Sequence, residues 1–301
     1  MDWSKLGYFE SERLCWKNRI RDRNFAKEIA DFKTIDYIHV GPHRTASTLL
    51  QTFVFPLLED KRTIFSNEAI CGRLLDNGVG NVSKIHSLSP KSKIIVVLRR
   101  QRDLIPSAYW LYVKAGGVWL YKQFVRAILD IKKYDFYILL NEYFKFFGKN
   151  NCLTLVYEDL LFAPERFYSS LFDFLGVDFN EYKEVIFNLP KGLNKSPSRL
   201  CMKAICLLNR VLFLFFKKAG WTGRDMQGIL SDTIDERLRK KLVVYFRIID
   251  KILNRNFAIK GFIEKINKQG DIEALIYEYY KVSNVKVASL IGRDLSIYGY
   301  Y

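Results

Sequence analysis

Histidine, methionine and proline are scarce, with 3, 3 and 7 copies in 301 residues. The three histidines (His39, His43, His86) and five scattered cysteines (Cys15, Cys71, Cys152, Cys201, Cys206) show no zinc-ligand spacing, so no metal site is expected. The cysteine number is odd and no CxxC occurs. That excludes a disulfide framework and reads as reduced, mostly buried thiols in a cytoplasmic protein. No stretch of about twenty clean apolar residues exists, which argues against a membrane span. The nearest, Ala204 to Phe216, is interrupted by Asn209 and Arg210 and flanked by Lys203, Lys217 and Lys218. It reads as a buried helix, the rival being a helix lying on an anionic membrane surface. The opening MDWSKLGYFESERLCWKNRIRDRN is too charged for a signal peptide. Zinc-finger and RNA-binding aromatic signatures are absent, so nucleic acid is not an expected partner. Neither an internal repeat nor a Pro/Gly/Ser linker divides the chain, which predicts one domain over 1–301.

What the chain has in excess is positive charge and aromatic surface. Lys and Arg number 48 against 32 Asp and Glu, a net charge of +16, and there are 23 Phe and 18 Tyr. The aromatics can fill a sizeable core, and the charge attracts polyanions such as a nucleotide, a sulfated or phosphorylated glycan, or anionic lipid.

Short β-favouring runs alternate with helical patterns. Residues 1–33 read as a charged, partly helical lead-in. Ile35 to Val40, Arg62 to Ser66, Lys93 to Leu98 and Cys152 to Tyr157 read as strands. Thr45 to Leu58, with Leu49, Leu50, Phe53 and Leu57 at helical spacing, reads as a helix. So do Arg102 to Lys114, Leu120 to Lys132, Tyr137 to Phe147, and Pro164 to Leu175 with Gly176 behind it. This order predicts an α/β fold of three layers, with a central parallel sheet flanked by helices over 34–180 and a mainly helical C-terminal part over 181–301.

The densest chemistry lies in Gly41-Pro42-His43-Arg44-Thr45-Ala46-Ser47-Thr48, between the first strand and its helix. There, backbone N–H groups and the helix dipole favour an anion, Arg44 adds charge, and Thr45, Ser47 and Thr48 add hydroxyls. A Walker A loop needs Gly at 46 and Lys at 47, where this chain has Ala46 and Ser47. The plainer reading is a polar helix cap beside a chance arginine. A second cationic corner follows KIIVVL: Arg99 stands at the strand end and Ser107 eight residues on, with Tyr109 behind. A strand-end Arg points into the crevice where α/β proteins bind ligands. The plainer reading here is a solvated basic turn.

Together these motifs resemble those of sulfotransferases that use 3′-phosphoadenosine 5′-phosphosulfate (PAPS). HVGPHRTASTLLQ is most similar to bacterial carbohydrate-type members, and Arg99, Ser107 and Tyr109 match the 3′-phosphate motif in type and spacing. Leu155-Val156-Tyr157-Glu158-Asp159-Leu160 and the tail Arg293 to Tyr300 also resemble segments of that family. The resemblance implies a P-loop-like fold and PAPS as co-substrate without a metal. Arg44 then holds the sulfate and bridging oxygen, with His43, Thr45, Ala46, Ser47 and Thr48 in the 5′ loop. Arg99, Ser107, Lys191 and Gly192 hold the 3′-phosphate. It further implies a carbohydrate or glycolipid acceptor. The departure is Ala46, where the family has glycine and where a methyl narrows the backbone's approach to the phosphate.

The transferred hydroxyl's proton needs a base. Glu68, in Ile64-Phe65-Ser66-Asn67-Glu68 after the second strand, and His86 are the two candidates, each with a plain structural alternative. Two other functions fit the sequence: a nucleotide-dependent phosphotransferase with an altered loop, and a nucleotide-binding protein without turnover.

Overall fold

A computed structural model describes residues 35–72, 74–114, 116–190, 197, 199–218 and 270–301. The predicted lead-in 1–33 and the candidates Lys191 and Gly192 lie outside the described residues. Four strands, β1 (Tyr37–His39), β2 (Ile64–Ser66), β3 (Lys93–Leu98) and β4 (Cys152–Val156), form one sheet in the order β2-β1-β3-β4. Every pairing is parallel, with Tyr37 opposite both Ile64 and Lys93, and Ile94 opposite Cys152. A parallel sheet is covered on both faces, which is why β3 is almost wholly aliphatic. Ile94 to Leu98 are all fully buried.

Alternation along β3 divides the core. Ile95 and Val97 join Leu155, Leu50, Val54, Leu58, Phe167 and Leu171 on one face. The other face of the sheet is covered by helix Phe136–Phe147, which lies on β3 and β4 and packs against helix Asn81–Leu88. The arrangement is a three-layer α/β fold.

The helical elements are α1 (Ser47–Leu49), α2 (Asn81–Leu88), α3 (Gln101–Lys114), α4 (Tyr121–Asp130), α5 (Phe136–Phe147), α6 (Tyr157–Phe162), α7 (Pro164–Leu175), α8 (Lys183–Phe187), α9 (Arg199–Lys218) and α10 (Gly270–Ile291). The helix predicted over 45–58 is not regular. After α1 comes a π-helical stretch, Leu50–Val54, and then a 3-10 turn, Phe55–Leu58. Pro56 has no N–H to return to the turn before it, so an α-helical ladder cannot run through. The fully buried stripe is Leu50, Val54 and Leu58; of the predicted Leu49, Leu50, Phe53 and Leu57 it contains Leu50 alone. α7 has the predicted bounds, with Pro164 at its start and Gly176 left-handed at its end (φ 66°).

The described chain forms two compact units. The larger contains the sheet, α1, α2, α5 to α8 and residues 276–301. The smaller contains 105–127, 199–218 and 270–275. Within it Asn209 donates to the carbonyls of Val113 and Gly117, both at 2.9 Å, and Tyr112 Oη accepts the N–H groups of Val118 and Trp119. In α9, Cys206 and Asn209 are buried while Leu207 and Val211 are exposed. The four described cysteines are buried, and none of them forms a disulfide. Among the described residues no helix is long and apolar enough to cross a membrane.

Candidate functional site

Strands β1 and β3 are neighbours, and the chain leaves them in opposite directions, toward β2 from one and toward β4 from the other. A crevice outside the carboxyl ends of two such strands is where open parallel sheets bind ligands. The loop after β1, the turn after β2 and the corners after β3 and β4 all emerge at this edge.

The β1 loop is drawn tight by its own hydroxyls. Thr45 Oγ1 donates to the Pro42 carbonyl at 2.6 Å, and Ser47 Oγ donates to the same oxygen at 3.4 Å. Both side chains are buried, so they shape the loop from within, whereas Thr48 is exposed. Arg44 and Ala46 have φ of 71° and 69°, in the left-handed region. An L-residue there carries roughly 1 kcal/mol of strain that glycine does not. Ala46→Gly should therefore raise the melting temperature, by roughly 2–4 °C per kcal/mol relieved. A scan showing no rise, or a fall, would mean the Ala46 methyl contributes packing that outweighs the strain.

The turn after β2 is brought against this loop. Asn67 caps it by accepting the Ala69 N–H at 2.9 Å, and the Asn67 N–H donates to the His39 carbonyl. A Cβ on Gly41 would lie 3.0 Å from Glu68 Cα and 3.1 Å from its carbonyl oxygen, so glycine permits the approach. The result is a contact between two residues noted separately in the sequence: His43 Nδ1 donates to Glu68 Oε2 at 2.5 Å. Burial works to raise the Glu68 carboxyl. The His43 hydrogen bond, with the electrostatic influence of His43, His39 and Arg44, outweighs it and holds the carboxyl below its ordinary value. Glu68 is thus ionised at neutral pH. Beneath the pair, His39 is fully buried and bonded to Ser66 Oγ at 2.7 Å. Burial lowers its pKa to about 4, so it is neutral at pH 7.

The far end of the same turn is fixed by a buried lysine. Lys133 Nζ donates to the carbonyls of Cys71 and Gly72, both at 2.7 Å, and to that of Asp76. The loop closes so tightly that a Cβ on Gly72 would sit 2.3 Å from Asp76 O, and one on Gly78 only 2.1 Å from Cys71 C. Burial pushes the Lys133 ammonium down to about 8, while the three carbonyls satisfy its charged form.

After β3, Arg99 reaches across to the β1 loop: Nη1 donates to the Arg44 carbonyl at 2.7 Å. Its guanidinium lies over the Tyr157 ring, 4.4 Å from the centroid. The Arg99 side chain is thereby tied to the backbone of Arg44, on the loop that follows the adjacent strand. Burial, then the charge of Arg99, lowers the Arg44 pKa. After β4, Glu158 accepts the Arg100 N–H at 3.0 Å and the Tyr300 hydroxyl at 2.9 Å. Burial pushes this carboxyl up despite those bonds. Asp159 is buried and accepts from Arg293, Arg166 and Tyr298. Burial would raise it, but these three partners hold it below the usual carboxylate value.

The structure thus unites His43, Arg44, Ala46, Glu68 and Arg99 at one edge. His86 is elsewhere: it lies in the last turn of α2 and packs on Phe146 and Phe147, with ring centroids 5.6 and 5.1 Å away. That turn leads into the amino end of β3, the opposite edge of the sheet. Ser107 is buried within α3, and Tyr109, also buried, donates to the Trp119 carbonyl at 3.0 Å. The residues that sequence reading passed over are Tyr157 as the platform for Arg99, Tyr300 as the partner of Glu158, and Lys133. Among the described residues no three His, Cys, Asp or Glu side chains are grouped to hold a metal ion.

Arginines on the loops that follow two adjoining parallel strands are an arrangement suited to a phosphate-type anion. Residues 66–181 match the model of the sulfotransferase family. The matched span includes Glu68, Arg99, Ser107 and Tyr157 and begins after the β1 loop. Over that span the chain is similar to sulfotransferases. A search of curated proteins returned no match. Among solved structures, a sulfotransferase from Alicyclobacillus acidocaldarius is similar at a TM-score of 0.48 and 12% identity, over 88% of this chain and 99% of that one.

Proposed function

We propose that the protein transfers a sulfuryl group from PAPS to an acceptor hydroxyl. The observation that carries this reading is the 2.7 Å bond from Arg99 to the backbone of Arg44, which unites the two cationic motifs beside the His43–Glu68 pair. In the step proposed, the acceptor oxygen forms a bond to sulfur as the bond from sulfur to the 5′-phosphate oxygen breaks. The electron pair of the broken bond stays on the phosphate, where the Arg44 charge stabilises it. The acceptor proton passes to His43 Nε2, and the ionised Glu68, bonded to Nδ1, orients the ring and stabilises the imidazolium formed. Glu68 thereby acts through His43: its carboxyl is held low, which makes it a good partner for a cation and a poor direct base. His86, packed between two phenylalanines at the other edge, takes no part. The donor's 3′-phosphate is assigned to Arg99. The resemblance and the net charge of +16 favour an anionic or membrane-associated carbohydrate as acceptor.

Calorimetry tests the donor assignment. 3′,5′-Adenosine bisphosphate should bind, and Arg99→Ala should weaken it about 100-fold, the scale for losing one charged contact in a desolvated site. Preference for ATP with Mg²⁺ over the bisphosphate would overturn the reading and favour a phosphotransferase.

A further inference from the structure

The corner after β3 is gripped by the C-terminal residues of the chain. Arg100 Nη1 donates to the Tyr298 carbonyl at 2.6 Å. Tyr300 Oη donates to Glu158, whose other oxygen accepts the Arg100 N–H. Asn284 donates to the Tyr300 carbonyl at 2.8 Å and exchanges two amide hydrogen bonds with Gln101, at 2.9 and 3.0 Å. Gln101, Glu158, Asn284 and Tyr300 are each only 2–3% exposed. A buried polar network of this kind is directional. Each member must stay in place for the others to remain satisfied, so the network fixes positions that apolar packing alone leaves freer. What it holds is the Arg100 N–H together with the Arg100 and Gln101 side chains, and the preceding residue is Arg99.

We propose that residues 293–301 form a buttress that sets the Arg99 guanidinium for the donor's 3′-phosphate, with Tyr300 and Glu158 as its positioning residues. Tyr300 acts through Glu158 and Arg100 and touches no substrate. Asp159, holding Arg293 and Tyr298, anchors the buttress at its other end. The inference rests on the assignment of the 3′-phosphate to Arg99.

The test compares 3′,5′-adenosine bisphosphate with 5′-AMP, which lacks the 3′-phosphate, by titration into the intact protein and into Tyr300→Phe. The bisphosphate should bind the variant about tenfold more weakly, the effect expected when a buried carboxylate loses a hydroxyl donor. Binding of 5′-AMP should be unchanged. Equal weakening of both nucleotides would overturn the inference, since it marks a general structural role; so would no change in either. If Tyr300→Phe does not fold, Glu158→Gln keeps the side chain's shape and reads the same ratio. Should the unsubstituted protein bind the bisphosphate no more tightly than 5′-AMP, the donor assignment fails and the buttress with it. A preserved bisphosphate preference that Tyr300→Phe leaves intact removes the buttress alone.

Discussion

Glu68→Gln should slow transfer about 10³-fold while leaving bisphosphate affinity within about twofold, since general acid–base catalysis contributes roughly 10²–10⁴-fold. The amide is almost isosteric, so the loop and turn stay in contact. It cannot stabilise an imidazolium, and its NH₂ group faces the ring nitrogen that now donates to Oε2 at 2.5 Å. His43→Ala should lose a similar factor, and the double variant little more, because residues acting as one unit are not additive. The same substitution reports on acid stability. Glu68 is held below its ordinary 4.5 in the folded state. The stability this adds is therefore fully present above that pH and is lost as pH falls through the folded value. Glu68→Gln should flatten that part of the acid-unfolding curve. Full transfer activity in Glu68→Gln would remove the pair from the mechanism.

Arg44→Ala should reduce the rate at saturating donor by about 10³-fold or more, the upper range for losing one stabiliser of a developing oxyanion. The charge matters most when the sulfur–oxygen bond is breaking, so kcat should fall further than bisphosphate affinity. Arg44→Lys should recover part of the loss, since it restores the charge without the planar fork. Single-turnover assays isolate the step. A kcat in Arg44→Ala within tenfold of the unsubstituted protein would show that the leaving group is neutralised elsewhere.

Much of this architecture was legible in local pattern. Lys93 to Leu98 is a strand with the predicted bounds because a two-face-buried strand is aliphatic throughout. Pro164 and Gly176 mark α7 to the residue. α2 escaped because only Val82 and Ile85 are buried along it, and α6 because Leu161 and Phe162 face solvent. The π-helical stretch follows from one proline whose effect no hydrophobic period reveals. At the site, His43 and Glu68 were visible singly, but their pairing depends on β1 lying beside β2. The bond between Tyr300 and Glu158 joins residues 142 positions apart, a separation over which sequence spacing carries no signal.

Three backbone carbonyls converging within one loop are the chemistry that draws a potassium ion from solution. Here the chain supplies the cation itself, as the Lys133 ammonium. The loop behind Glu68 thus carries its own counter-ion, and its shape is written in the polypeptide rather than borrowed from the salts around it.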